Sequence, residues 1–191
     1  MGVELSPRKF RTFFVGNEPS RNPLVPKLAA LAREFGEAGM ANGLGSVSAR
    51  YGKRIVINRA GSVFASMEEP DFVEVVDYDA QRNRLMCMGT QEPCFEAGLH
   101  WLLYDTHEEF HGVLHFDDPA ILKAQKKTGM FPETREMRPP GSLEWTMEAI
   151  KIVRKAPFFL LKNHGCFAVG PTLDEARELA IEAHEAAMEE I

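Results

Sequence analysis

The chain has 191 residues, with 22 Lys and Arg against 28 Asp and Glu, for a formal charge of −6. A composition 45% hydrophobic and 26% charged is that of an ordinary globular chain, which excludes wholesale disorder, collagen-like repeats and a disulfide-built scaffold. The acidic balance, with no Lys/Arg-rich run, argues against nucleic acid as a partner and leaves small molecules and other proteins.

Residues 1–26 read as an extended N-terminal arm, because Pro7, Pro19, Pro23 and Pro26 interrupt any helix. One domain is expected over 27–191. Leu28, Leu31, Ala32, Phe35 and Ala38 recur at helical spacing, so a helix runs from about Lys27 to Met40 and closes at the Gly-rich Ala41 to Gly45. Short strands follow over Val47 to Tyr51, Arg54 to Asn58, Phe72 to Tyr78 and Arg84 to Met88, a meander of apolar runs between turn residues. A second helix is expected from Glu96 to His107, then a buried strand from Gly112 to Phe116. Asp118 before Pro119 has the chemistry of a helix N-cap and first turn. After a Pro/Gly-rich loop from Thr128 to Gly141 come a helix over Leu143 to Arg154 and two strands, Phe158 to Lys162 and Cys166 to Val169, flanking an Asn163-His164-Gly165 turn. Thr172 and Glu175 stand at capping-box spacing before the last amphipathic helix. These elements predict an α/β fold in three layers, a sheet with substantial antiparallel pairing covered by helices.

The N-terminus has no apolar core of a signal peptide, and nowhere do about 18 apolar residues run together as a membrane span requires. Three sparse cysteines, Cys87, Cys94 and Cys166, read as free thiols of a reducing compartment. A soluble, cytoplasmic protein away from membranes is the expectation.

Among six histidines, His107, His111 and His184 read as ordinary surface or hydrogen-bonded residues. His115 ends an apolar strand, and period-two geometry sends His115 and Asp117 to one face, an imidazole and a carboxylate aimed at one spot. His164 ends the strand that precedes Gly165, and Glu96 and His100 share a helix face at four-residue spacing. Neutral imidazole and carboxylate are the donors a divalent ion such as zinc takes, with a position left open for catalysis. The plainer alternative is that Asp117 or Asp118 caps the next helix and His164 fills a turn.

The ordered set of motifs resembles the class II aldolase/adducin family over roughly Leu28 to Ala187. Gly45-Ser46-Val47-Ser48-Ala49-Arg50 is similar to the family's Gly-Asn-x-Ser-x-Arg strand. Asn58-Arg59-Ala60-Gly61 falls where Thr-Pro-x-Gly is usual, and Pro93-Cys94-Phe95-Glu96, with His100 beyond, where Pro-Ser-Ser-Glu and a later histidine are usual. His115-Phe116-Asp117 lies at the place of His-x-His. Gly141-Ser142-x-Glu144, Asn163-His164-Gly165, Gly170 and Thr172 to Ala176 match the C-terminal part.

This resemblance implies a three-layer αβα fold with a mainly antiparallel central sheet, assembled as a homotetramer around a metal site near a subunit interface. It implies His115, Asp117, His164 and Glu96 as ligands of a divalent ion, Zn2+ or else Mn2+ or another, with Asp117 in place of the second histidine. Glu96 would also move a proton as a carboxyl of raised pKa, and His100 would support the ligands or join them. Ser46, Gly61 and Cys94 fall at substrate-binding positions. The implied activity is an aldolase-type lyase that makes or breaks a C–C bond in a small hydroxy-carbonyl, sugar-like substrate through a metal-stabilised enediolate. The alternatives are a non-catalytic domain like the adducin head, or an epimerase or dehydratase on the same scaffold. Family members bind a substrate phosphate with the Asn, Thr and Ser of those first three motifs, whereas Ser46, Asn58 to Ala60, Cys94 and Phe95 stand here, and Phe95 can donate no hydrogen bond, so a sugar phosphate of the usual kind is not expected.

Overall fold

The computed structural model describes residues 10–191, so Pro7 of the expected arm lies outside it. The arm's described part is not featureless: Arg11–Gly16 forms strand β1, and the first helix, α1, spans Val25–Glu37 with Pro26 in its opening turn. Leu28, Leu31, Ala32 and Phe35 of α1 are buried, as their spacing predicts. Gly39 follows at φ +73°, a left-handed conformation that ends the helix without steric cost.

Beyond α1 come β2 (Ser46–Tyr51), β3 (Arg54–Asn58), β4 (Phe72–Asp79), β5 (Arg84–Met88), α2 (Ala97–Thr106), β6 (Gly112–Phe116), α3 (Pro119–Thr128), α4 (Leu143–Val153), β7 (Phe158–Leu161), β8 (Gly165–Gly170) and α5 (Leu173–Glu190). All eight strands make one sheet in the order β1-β5-β4-β3-β2-β6-β8-β7. Every pair is antiparallel except β1 with β5. At the β7 margin, the segment around Glu133 runs beside Leu160, with Thr134 N–H donating to Leu160 O (3.0 Å) and Leu160 N–H to Pro132 O (2.8 Å). The β1 margin carries Phe13, Phe14 and Val15 exposed.

Strand alternation divides the core into two apolar layers. Leu114, Phe116, Phe158 and Leu160 point toward α1, α3 and α5; Val113, Phe159, Leu161, Phe167 and Val169 point toward α2 and α4. Each fully buried Phe or Leu in these layers contributes about 1.5–3 kcal/mol relative to its exposed state. His115, between Leu114 and Phe116, therefore faces the α2 and α4 side. None of the helices among the described residues is long and apolar enough to cross a membrane.

Asp118 sits at the corner between β6 and α3, fully buried. Its Oδ1 accepts from Ala120 N (2.8 Å) and Ile121 N (3.2 Å), and its Oδ2 faces His184 Nδ1 of α5 at 2.7 Å. The capping expectation thus falls on Asp118, and the acid ties two helices to the strand that carries His115. Asp118→Ala removes the cap and leaves His184 without its acceptor. Urea denaturation is expected to show a loss of about 2–4 kcal/mol, with Asp118→Asn, which keeps the capping oxygen, losing less.

Candidate active site

Three elements converge on one point. Glu96 is the N-cap residue of α2, His115 lies one residue from the end of β6, and His164 stands in the tight turn from β7 to β8. The turn is built for this: Asn163 adopts φ +58° and Gly165 φ +118°. A Cβ on residue 165 would stand 2.5 Å from Asp117 Oδ1 and 2.9 Å from His115 Nε2, so glycine is what lets β8 pass this close.

One donor atom each from Glu96, His115 and His164 lies within 4.8 Å of the other two. His115 Nδ1 is 3.5 Å and His164 Nε2 3.6 Å from Glu96 Oε1. The two imidazoles stack face to face with centroids 4.7 Å apart and planes 3° from parallel. His115 Nε2 lies 2.9 Å from the backbone carbonyl of His164. A carbonyl only accepts, so that nitrogen holds the hydrogen and the lone pair of Nδ1 points at the cluster, the arrangement by which a ligating histidine is commonly fixed. Both His115 Nδ1 and His164 Nε2 are buried without a hydrogen-bond partner.

Burial alone would raise the Glu96 carboxyl. The close approach of His164 Nε2 at 3.6 Å, together with the nearby His115 and His100, outweighs it and holds the group down at about 2. Glu96 is therefore a carboxylate throughout the physiological range, in contrast to the raised value expected of a proton-moving acid. Burial, aided by His164, draws His115 below the ordinary imidazole range despite Glu96, which favours the neutral form that binds cations.

The cluster opens onto a cavity of about 700 Å³ whose wall includes Gly61, Cys94, Phe95, Asp117, Lys126 and Leu160. Asp117 lies on this wall but outside the group of three. Gly61 and Cys94 line it too; Ser46 does not. Ser46 Oγ is instead 2.9 Å from His100 Nε2, and His100 Nδ1 is 2.7 Å from Ser48 Oγ, which reaches Tyr104 Oη at 2.9 Å. Burial pushes His100 down to about 3, so it is a neutral ring that donates at one nitrogen and accepts at the other. It stands behind the cluster, one turn along α2 from Glu96.

Aromatic packing supports the imidazoles in a way that residue spacing does not reveal. Phe167 stacks under His115 at 4.6 Å, and Trp145 of α4 meets the His164 ring edge-on at 4.8 Å and 90°. Phe95 lies on another flank of His164, 6.1 Å away. Asn58 serves the scaffold: its Oδ1 accepts from Val47 N (2.8 Å) and its Nδ2 donates to Gly45 O (3.0 Å).

The chain matches the family described as Class II Aldolase and Adducin N-terminal domain over residues 26–191, and it belongs to that family. Among solved structures it is similar to an L-fuculose 1-phosphate aldolase, at TM-score 0.74 and 19% identity over 91% of this chain and 87% of that one. YgbL from Escherichia coli matches at TM-score 0.72 and 19% identity, covering 86% of each chain. A sugar-phosphate aldolase from Thermotoga maritima matches at 0.66 and 14%, over 86% of this chain and 93% of that one. At these identities the likeness is one of fold. No curated protein sequence matches the chain. Aldolases of this class depend on a divalent metal, and the cluster of one carboxylate and two buried, unpartnered imidazole nitrogens fits such an ion.

The cysteine of the cavity wall is held in its thiol form. Burial, followed by the charge of Glu96, pushes Cys94 well up, and burial also raises Cys166 and takes Cys87 up to about 12. The thiolate is the reactive form, so the folded protein at about pH 8 is expected to release less than one equivalent with Ellman's reagent in minutes, and all three thiols once denatured. Rapid labelling of Cys94 in the folded state would overturn this.

Proposed function

We propose that the protein is a divalent-metal-dependent lyase of aldolase type, making or breaking a C–C bond in a small hydroxy-carbonyl compound. The observation that carries this reading is the pair of orphaned nitrogens, His115 Nδ1 and His164 Nε2, facing one carboxylate oxygen. Each buried polar atom left unpaired costs about 1–3 kcal/mol, and a shared cation offsets both. His115, His164 and Glu96 would hold the ion, with Asp117 as a further oxygen donor from the cavity wall. That mixed donor set suits Zn2+ and is compatible with harder ions such as Mn2+.

When bound, the ion supplies Lewis acidity toward carbonyl and hydroxyl oxygens in the cavity. The chain's own residues do the rest. Glu96, ionised and buried, accepts a proton from a substrate hydroxyl and returns it to the product. Phe95, Phe167 and Trp145 hold the His164 and His115 rings in place and keep bulk water from the cluster. Gly61 and Cys94 contact the substrate across the cavity, and Ser46 acts through His100. The family resemblance further supports a homotetramer with the site near a subunit interface, and the three free, buried thiols support a cytoplasmic setting. A binding domain like the adducin head is the rival reading, favoured by the loss of hydroxyls at Asn58, Cys94 and Phe95; epimerase or dehydratase chemistry would use the same scaffold.

Metal analysis of the purified protein is expected to find near-stoichiometric zinc or manganese, with occupancy falling at least tenfold in His115→Ala and His164→Ala. In metal-saturated Glu96→Gln, cleavage of short hydroxy-ketones or hydroxy-acids should drop by about 10²–10⁴. A chain that binds no metal sinks the lyase reading, and one that binds metal yet cleaves nothing supports the binding domain.

A further inference from the structure

We infer, resting on that reading of the site, that the substrate carries no phosphate and presents an apolar substituent to the cavity wall beside Phe95. Three independent features of the cavity point the same way.

The first is where the donors go. A phosphate offers three acceptor oxygens and is held by several donors at once. Ser46 spends its hydroxyl on His100, and Ser62 donates to Arg59 O at 3.1 Å. Gln125 uses both ends of its amide on the Phe131 backbone, Nε2 donating to O (3.3 Å) and Oε1 accepting from N (2.9 Å). Asn163 Nδ2 is turned to Met137 Sδ at 3.5 Å. The corners at Ala60, Gly61, Cys94 and Phe95 then contribute a methyl group, a hydrogen, a buried thiol and a phenyl ring.

The second is charge. The described wall carries three carboxylates, Glu96, Asp117 and Glu133, and its ammonium, Lys126, is exposed, while Lys162 nearby is paired with Glu133 at 3.9 Å. A divalent ion at the cluster is met by Glu96 and Asp117, and the two lysines, one solvent-screened and one paired, add only a weak positive field for a dianion.

The third is the apolar lining itself. Leu44 is 60% exposed at the cavity, and Leu122, Leu160 and Phe95 continue the surface. Phe95 touches the reacting centre as well, since its ring flanks His164. A substituent leaving the hydroxy-carbonyl core thus meets carbon, and its burial there is favourable in proportion to apolar area.

Three hydroxamates, which share one metal-chelating head and differ in their tails, test this by calorimetry on the zinc-loaded protein: acetohydroxamate, phenylacetohydroxamate and phosphoglycolohydroxamate. The phenyl compound is expected to bind at least tenfold more tightly than acetohydroxamate, and the phosphorylated one no more tightly. Phe95→Ser, reloaded to the same zinc content as the wild type, should erase most of the phenyl gain and improve phosphoglycolohydroxamate several-fold. If the phosphorylated compound binds tightest to the wild type, or the phenyl ring adds nothing, the substrate inference is overturned while the metal site stands. If zinc is retained and none of the three binds, the lyase reading falls and the inference with it.

Discussion

The pairing of β6 with β8, with Phe116 opposite Cys166 and His115 opposite Phe167, is the constraint on which the site depends. It sets two histidines 49 residues apart ring against ring, with Phe167 as the floor beneath them. Side-chain period in a strand is two, so a one-residue slip of β6 would send His115 to the α1, α3 and α5 side and empty the cluster. The register is held from both layers. Leu114 and Phe116 fill one core while Val113 packs into the other, and Asp118 pins the strand's end to α3 and α5.

Around that pair the protein separates two kinds of buried polarity. The hydroxyls and ring of Ser46, Ser48, His100 and Tyr104 satisfy one another in a closed chain, and such a network stiffens the floor of α2 from which Glu96 projects. The cluster of Glu96, His115 and His164 is left incomplete, with two nitrogens unpaired. Buried side-chain nitrogens without a partner also occur singly, at His107 and Arg138, but only here do two of them face one carboxylate, which marks a place where stability is given up for chemistry among the described residues. The same division explains why Ser46 and Asn58, polar residues at positions where the family meets its substrate, here belong to the scaffold.

Periodicity made most of the fold legible. Helix α1, the meander β2 to β5, strand β6 with its Asp118 cap, and α5 behind Thr172 all follow from local patterns, because each is a local agreement of spacing and capping chemistry. Strand β1 was hidden: the prolines on either side of it, Pro7 and Pro19, speak of an arm, and its partner β5 is about seventy residues away, a pairing no local signal encodes. Within the site, His115, His164 and Glu96 could be named from strand ends, a turn and a helix start. Trp145 and Phe167 could not, since which ring meets which imidazole depends on how α4 lies across the sheet. Ser46 illustrates the same limit from the other side. Its position along the chain agrees with substrate contact, while its direction, set by β2 pairing between β3 and β6, turns it to His100.

The sheet's two margins differ in a way that bears on how the molecule behaves in a crowded solution. The backbone of β7 at Leu160 is engaged by the stretch near Glu133, whereas β1, with Phe13, Phe14 and Val15 exposed, has no strand paired to its outer side among the described residues. Arg84 lies over the Phe13 ring, 5.7 Å from its centroid, and Arg11 opens the strand. Paired guanidinium groups of like sign discourage an identical edge from docking there, the electrostatic gatekeeping by which natural sheets resist fibrous growth. Among the described residues, the border most open to strand addition is thus also the one where cationic repulsion stands guard over an otherwise adhesive surface.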